Sequence, residues 1–330
     1  MMKKSIVVSL VVTIVLSMMA FTGRAEAQDF EPSTKAPKDQ LYIEVSALSS
    51  LDYFYDHKLG MKQVGEDLGV KTEYVGPSDY DMNAVAAAMD QAIVKQAEGI
   101  VIVGWEDSLI GSIDKAIEAG IPVVTVDADL AASKRIAFVG TSNFNCGVEG
   151  GKYVSELLGG KGKVALLGMP TLSNIRARIE GYKSVFATND IEIVQIGDSK
   201  TDSVGAAETV AGILLKYPDL DAMICVDSHG GVGAATAVKE AGKAGKILVI
   251  GMDRDNTLLE FIVEGVVKAT IVQRTALMPY YATLLLYQMR NNPVPITDDD
   301  KAAGALNIPT FIDTGVMIVD KSGAQHFIRK

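Results

Sequence analysis

The sequence predicts an α/β protein built from two similar doubly wound parallel-sheet domains. Short apolar runs rich in β-branched residues, such as Ile121–Val126, alternate with segments of helical length throughout the chain. Such runs are typical of strands buried on both faces of a parallel sheet, and their alternation with helices favours doubly wound sheets. A weak internal sequence similarity indicates two related halves. The segments EGIVIVGWED and GIPVVTVDAD resemble the later segments LDAMICVDSHG and KILVIGMDRD.

The first half contains five predicted strands and three predicted helices. The strands are Leu41–Val45, Val70–Val75, Ile100–Val103, Ile121–Val126 and Arg135–Gly140. One helix follows Asp52 and ends at Gly69, one spans Asp81–Glu98, and one follows Asp107 and ends at Ala119. Glycine at a helix end and Asp at a helix start are the usual boundary signals.

The second half repeats this alternation. Its predicted helices are Asn145–Leu158, Ser173–Thr188, Asp202–Lys216, Gly233–Ala244, Asn256–Gly265 and Met278–Arg290. Its predicted strands are Val164–Leu167, Ile191–Ile196, Ala222–Val226, Ile247–Ile250 and Ala269–Val272, followed by two short candidates, Thr310–Ile312 and Val316–Val319. A terminal segment that returns between the halves would give several linkers and a hinge.

The N-terminus predicts export. Two lysines precede the apolar run Ser5–Phe21, and Ala25-Glu26-Ala27 has the small-x-small pattern of a cleavage site, so residues 1–27 are predicted to be a cleaved Sec signal peptide. An uncleaved membrane anchor is the alternative. Cys146 and Cys225 are both internal, so no lipid-anchoring cysteine follows the signal. We therefore expect a periplasmic protein without a lipid anchor, with residues 28–39 as a flexible mature N-terminus.

Charge and motifs exclude several functions. The formal net charge of −10, without a basic run beyond Lys3-Lys4, argues against a nucleic-acid partner. Three scattered histidines, no GxSxG motif and no Cys/His spacing argue against a hydrolase and a metal site. The glycines after Val226 lack the GxGxxG pattern of a dinucleotide site. We predict no catalytic residue, no metal and no cofactor.

Polar side chains recur where predicted strands end, and ligands of open α/β sheets bind at such ends. Carboxylates, amides and a guanidinium suit the hydroxyls of a sugar, and aromatic faces suit its C–H faces. Any single Asp could instead cap a helix, Arg176 could be a surface residue, and Tyr53 or Phe54 could be core. The candidates are Tyr53, Phe54, Asp127, Asn143, Arg176, Asp227, Asp253 and Gln273, with Trp105 and Asp129 as cleft-lining candidates.

The mature chain resembles the ribose-binding-protein group of ABC-transporter solute-binding proteins over nearly its whole length. The landmarks are VTVDAD, VGTSN, RARIEGY, CVDSHGGVGAA, VIGMDRD and KATIVQRT. The resemblance implies the type I periplasmic binding protein fold, in which two domains joined by a three-strand hinge close on a monosaccharide. It implies an N-terminal ligand-binding domain of residues 40–141 plus 275–308 and a C-terminal one of residues 142–274 plus 309–330.

The resemblance also carries over site residues. The ligand-stacking aromatics fall on Tyr53 and Phe54, and the hydroxyl-binding groups fall on Asp127, Asn143, Arg176, Asp227, Asp253 and Gln273. Two departures change the expected ligand: Ala128 stands where the ribose binders have Arg, and Asp227 stands where they have Asn. A pyranose, an amino sugar or a polyol then fits at least as well as ribose.

The predicted function is a monomeric, non-enzymatic solute-binding protein that captures a monosaccharide or a related polyol or amino sugar. Its partner would be a membrane ABC permease. The alternative is a periplasmic sensor that presents a sugar-like signal to a chemoreceptor or histidine kinase, and an exported sugar-modifying enzyme is a third hypothesis.

Overall fold

The computed structural model describes residues 30–200 and 202–329, and in them the chain forms two α/β domains, each around a six-stranded sheet. The predicted signal peptide lies outside the described residues. The first sheet contains β1 Leu41–Val45, β2 Lys71–Val75, β3 Gly99–Val103, β4 Val123–Val126, β5 Ala137–Gly140 and β11 Phe311–Asp313. The second contains β6 Lys161–Gly168, β7 Asp190–Asp198, β8 Ala222–Cys225, β9 Leu248–Met252, β10 Ala269–Gln273 and β12 Val316–Asp320.

The two sheets have the same strand order. Their strand orders are β11-β5-β4-β3-β1-β2 and β12-β10-β9-β8-β6-β7, which correspond position by position. All pairings are parallel except that of β12 with β10, which is antiparallel. The predicted fold class is therefore confirmed, and the internal similarity of the sequence reflects two similar doubly wound domains.

Helices cover the sheets on both sides. They are α1 Tyr55–Leu68, α2 Met82–Val94, α3 Ile110–Glu118, α4 Asn143–Leu158, α5 Ser173–Phe186, α6 Ser203–Lys216, α7 Gly230–Glu240, α8 Asn256–Glu264, α9 Leu277–Asn291 and α10 Asp300–Ala303. None of the described helices combines the length and the apolar character needed to cross a membrane. The buried apolar residues form one cluster in the first domain and two clusters in the second.

Local signals explain most helix boundaries. Gly69 ends α1 in the left-handed region at φ 64°, and Asp81 begins α2 by accepting hydrogen bonds from the N–H groups of Asn83 and Ala84. Asp202 caps α6 in the same way. The prediction for α2 is too long: the helix ends at Val94 rather than Glu98, because Gln96 turns the backbone to φ 53°.

The chain crosses between the sheets three times. The crossings are residues 141–142 after β5, residues 274–276 after β10 and residues 314–315 after β11. The last one differs from the sequence-based assignment of residues 309–330 to the second domain, because Phe311–Asp313 pairs with β5 in the first sheet. Backbone pairing with an edge strand decides this, and a three-residue strand carries too little pattern to reveal its partner.

The segment before β1 also differs from the expectation of a flexible N-terminus. The N–H of Ser33 donates to the carbonyl oxygen of Arg290 at 2.7 Å, and Arg290 Nη1 donates to the carbonyl oxygen of Glu31 at 2.6 Å. Lys35 Nζ pairs with Glu98 at 3.0 Å. Residues 31–35 are therefore attached to the end of α9.

Candidate ligand-binding cleft

The two domains present polar side chains at the carboxyl ends of their strands. Asp127 follows β4 and Asp253 follows β9, at corresponding positions of the two sheets. Both have positive φ, 65° and 64°, a conformation that Asp tolerates better than most residues. Asp127 of the first domain and Arg178 of the second lie close enough to Asp253 for their charges to act on its carboxyl, so the three groups adjoin one cleft between the domains.

Asp127 is held by two neutral donors of the first domain. The Tyr53 hydroxyl donates to Oδ1 at 2.6 Å, and Trp105 Nε1 donates to Oδ2 at 3.0 Å. Burial, followed by the neighbouring Asp127 charge, raises the pKa of Tyr53 well above its ordinary value, so this hydroxyl remains a donor. The predicted site residues Tyr53 and Asp127 and the cleft-lining candidate Trp105 are thus brought together.

The aromatic residues of the first domain form a continuous cluster. Phe54 is 0% exposed and belongs to the core, where its ring packs on Tyr53 at 5.1 Å and on Trp105 at 5.4 Å between centroids. Tyr80, which the sequence analysis missed, stacks on Trp105 at 6.0 Å and is 58% exposed. The aromatic wall therefore consists of the partly buried Tyr53 and Trp105 and the exposed Tyr80, with Phe54 as its support.

In the second domain Arg178, rather than the predicted Arg176, is the buried arginine beside Asn143. Arg178 is 5% exposed, and its Nε donates to Asn143 Oδ1 at 2.8 Å and its Nη1 to the Val226 carbonyl oxygen at 2.9 Å. Arg176 is exposed and donates to the carbonyl oxygens of Pro170 and Thr171. Two residues along a helix turn by about 200°, so the two side chains point to opposite faces of α5.

A sequence signal for Arg178 existed. The apolar stripe Ile175, Ile179 and Tyr182 has helical spacing, and position 178 lies on the same buried face. Glu180, on the exposed side of the same helix, pairs with Lys183 at 2.8 Å. Helical spacing therefore places Arg178 on the buried face of α5, whereas the predicted site residue Arg176 lies on the exposed face.

Close packing of α4 on α5 brings Arg178 to Asn143. A Cβ atom at Gly147 would lie 2.0 Å from the Arg178 carbonyl oxygen, and one at Gly181 would lie 2.2 Å from the Phe144 carbonyl oxygen. Only glycine permits such an approach of two backbones. The glycines thus set the distance between the two helices that carry the predicted residue Asn143 and the missed residue Arg178.

Asp253 and Gln273 form the adjoining part of the second-domain wall. Gln273 Nε2 donates to Asp253 Oδ1 at 3.0 Å, and both residues are buried. The Thr270 hydroxyl fixes the backbone of this turn by donating to the Asp253 carbonyl oxygen at 2.7 Å. Burial raises the pKa of the Asp253 carboxyl to about 6, and the charges of Asp127 and Asp227 add to this rise, whereas Arg178 and Gln273 oppose it.

Two other predicted aspartates form their hydrogen bonds within their own domain. Asp227 accepts hydrogen bonds from the N–H groups of Met169 at 3.0 Å and Gly230 at 2.9 Å and from the Ser199 hydroxyl. Three of its roughly four acceptor positions are therefore used within the second domain. Asp129 pairs through both oxygens with Arg135 and also accepts from Thr125 at 2.8 Å, so it is not a free cleft group.

The raised pKa of Asp253 predicts how stability depends on pH. Between about pH 4 and pH 6 the folded carboxyl binds more protons than the unfolded one, so the free energy of unfolding falls as pH rises through this window. Asp253→Asn is expected to be more stable than the wild type by up to about 3 kcal/mol near pH 8 and by less near pH 4. Urea unfolding of the ligand-free proteins measures both values. An equal difference at the two pH values would contradict the prediction.

The fold and cleft define a two-domain binding protein of the type I periplasmic binding fold. The family described as "Periplasmic binding protein domain" matches residues 45–292, and the chain belongs to this family. The resemblance inferred from the sequence is thereby confirmed.

Relatives of the chain are named for sugars. The chain is 26% identical over 286 residues to the ribose import binding protein RbsB of Bacillus subtilis, covering 86% of this chain and 92% of that protein. It is 27% identical to the D-allose-binding periplasmic protein of Escherichia coli, covering 74% and 82%. The solved structure of AraP, an arabinose binding protein from Geobacillus stearothermophilus, is 30% identical with a TM-score of 0.82, covering 88% and 99%.

Proposed function

We propose that this chain captures a monosaccharide, or a closely related polyol or amino sugar, in the cleft between its two domains and delivers it to a membrane ABC permease. The observation that carries the proposal is the cleft itself. The charges of Asp127 from the first domain and of Arg178 from the second both act on Asp253, within a site that also contains the Tyr53 hydroxyl and an aromatic wall. These groups match the hydroxyls and the C–H faces of one small sugar.

The mechanism is a shift of a hinge equilibrium. A ligand that contacts both domains at once stabilises the arrangement in which they meet, by as much as its differential affinity for that arrangement. The three crossing segments allow such a movement because each consists of two or three residues between elements of different domains. The protein performs no chemistry on its ligand. The periplasmic location and the identity of the membrane partner, permease or sensor, are part of this proposal.

A thermal-shift screen tests the proposal. The purified protein is heated with pentoses, hexoses, amino sugars, deoxysugars and polyols, because ligand at a hundred times its dissociation constant stabilises the folded state by about 2.7 kcal/mol. We expect a strong shift with one or two stereoisomers. If no compound of the panel shifts the melting temperature, the proposal is overturned. Unchanged ligand concentration after prolonged incubation is the control against an enzymatic role.

A further inference from the structure

Buried carboxylates in this protein fall into two groups. Among the described residues, Glu44, Asp56, Glu98, Asp227 and Asp253 are the buried acidic side chains. The first three have basic partners: Glu44 contacts His57 Nδ1 at 2.5 Å, Asp56 pairs with Arg329 at 2.9 Å and with Arg254, and Glu98 pairs with Arg290 at 2.8 Å. Charges buried in a fold are normally paired in this way.

Asp227 and Asp253 depart from this pattern. Asp227 accepts hydrogen bonds from two backbone N–H groups and a hydroxyl, and Asp253 accepts one from the Gln273 amide. Asp127, across the cleft, also has neutral donors, Tyr53 and Trp105. No described lysine, arginine or histidine forms an ion pair with any of these three aspartates.

The guanidinium in the cleft does not balance these charges. Of the described side chains that we place in the cleft, Asp127 and Asp253 carry carboxyl groups and Arg178 is the single basic group, and the carboxyl of Asp227 adjoins them from within the second domain. Its Nε and Nη1 donate to neutral acceptors, Asn143 and the Val226 carbonyl oxygen. Ala128, next to Asp127, adds no charge. The cleft therefore carries an excess of negative charge inside a largely buried site.

The geometry restricts what could neutralise this charge. A bare metal ion needs several converging ligands, and the described residues contain no group of three or more His, Cys, Asp or Glu side chains that could hold one. A protonated amine carries one charge and three donors on a larger body. Asp253 Oδ2 receives no hydrogen bond from the described residues, so it can accept one from an ammonium group.

We propose that the ligand is cationic: an amino sugar or an aminopolyol whose ammonium group binds at Asp253, within the field of Asp127 and Asp227. This inference rests on the proposed sugar-binding function and narrows its ligand class. Arg178 and Gln273 then form hydrogen bonds with the hydroxyl groups of the same ligand, and the aromatic wall packs against its C–H face.

Matched ligand pairs test the inference by isothermal titration calorimetry. The pairs are glucosamine with glucose, galactosamine with galactose, and mannosamine with mannose, and the N-acetyl derivatives keep the nitrogen without its charge. We expect the best amino sugar to bind at least about tenfold more tightly than its neutral parent and its N-acetyl form, as charge-assisted hydrogen bonds predict. A neutral parent that binds as tightly or more tightly overturns this inference and leaves the sugar-binding function standing. Absence of binding by all sugars overturns both.

Charge-neutral variants identify which carboxylate binds the ammonium group. Asp253→Asn keeps the shape and an oxygen acceptor for Gln273, and Asn tolerates positive φ as well as Asp does. We expect the amino-sugar preference to fall at least about fivefold in Asp253→Asn and less in Asp227→Asn, since only the first contacts the ammonium group. Asp129→Asn is the matched control, because Arg135 already neutralises that carboxylate. A preference that persists unchanged in Asp253→Asn and Asp227→Asn overturns the assignment.

Discussion

Replacing Arg178 by alanine is expected to lower ligand affinity by at least about 100-fold, because two charge-assisted hydrogen bonds contribute about this much to binding. The guanidinium is buried, its charge acts on Asp253, and its Nε and Nη1 hold Asn143 and the Val226 carbonyl oxygen in place. Its removal therefore takes away a ligand donor and loosens a second cleft residue. Calorimetric titration with the ligand found in the screen measures the loss.

Arg176→Ala is the matched control for this prediction. The same residue type is removed from the same helix, but Arg176 is exposed and binds carbonyl oxygens of its own loop. We expect its dissociation constant to stay within about twofold of the wild type, as for most surface substitutions. Arg178→Lys keeps the charge but loses the planar donor pattern, so intermediate binding is expected. Strong binding by Arg178→Ala together with its loss in Arg176→Ala would refute the placement of the cleft arginine.

Replacing Asp56 by asparagine is expected to weaken ligand binding about tenfold or more, although Asp56 makes no hydrogen bond with the described cleft residues. Asp56 lies in α1 of the first domain and pairs with Arg254 and Arg329, which both come from the second domain. The Thr275 hydroxyl, in a crossing segment, donates to the same carboxylate at 2.9 Å. Without the carboxylate, Arg254 loses an ion pair, while the neighbouring Arg329 charge that already lowers its pKa remains.

The expected effect arises through the equilibrium between domain arrangements. If the arrangement with the domains in contact loses about 1.4 kcal/mol, the apparent affinity of a ligand that requires it falls about tenfold. Small-angle scattering of the ligand-free variant should show a larger radius of gyration. Glu98→Gln is the control, because Glu98 pairs with Arg290 inside the first domain. Its stability should fall while ligand affinity and radius of gyration stay the same; equal effects in both variants would contradict an interdomain role for Asp56.

The sequence predicted the site best where a side chain follows directly from a strand. Asp127 and Asp253 end buried strands at corresponding positions of two related domains, and a strand end fixes both the location and the direction of the next residue. The sequence predicted the site less well where the direction of a side chain depends on its position around a helix, as with Arg176 and Arg178. It did not indicate the partner of Asp129, which the structure shows to be Arg135.

By itself the sequence determined the class of fold, the repetition of that fold and most of the strand ends that carry the cleft residues, because hydrophobic periodicity and capping residues act locally. The tertiary structure alone decided that Phe311–Asp313 pairs in the first sheet, that Asp227 is bonded within its own domain and that Arg254 and Arg329 reach Asp56. These contacts join residues far apart in the chain. Their energies depend on distance and burial in space, which a linear pattern does not contain.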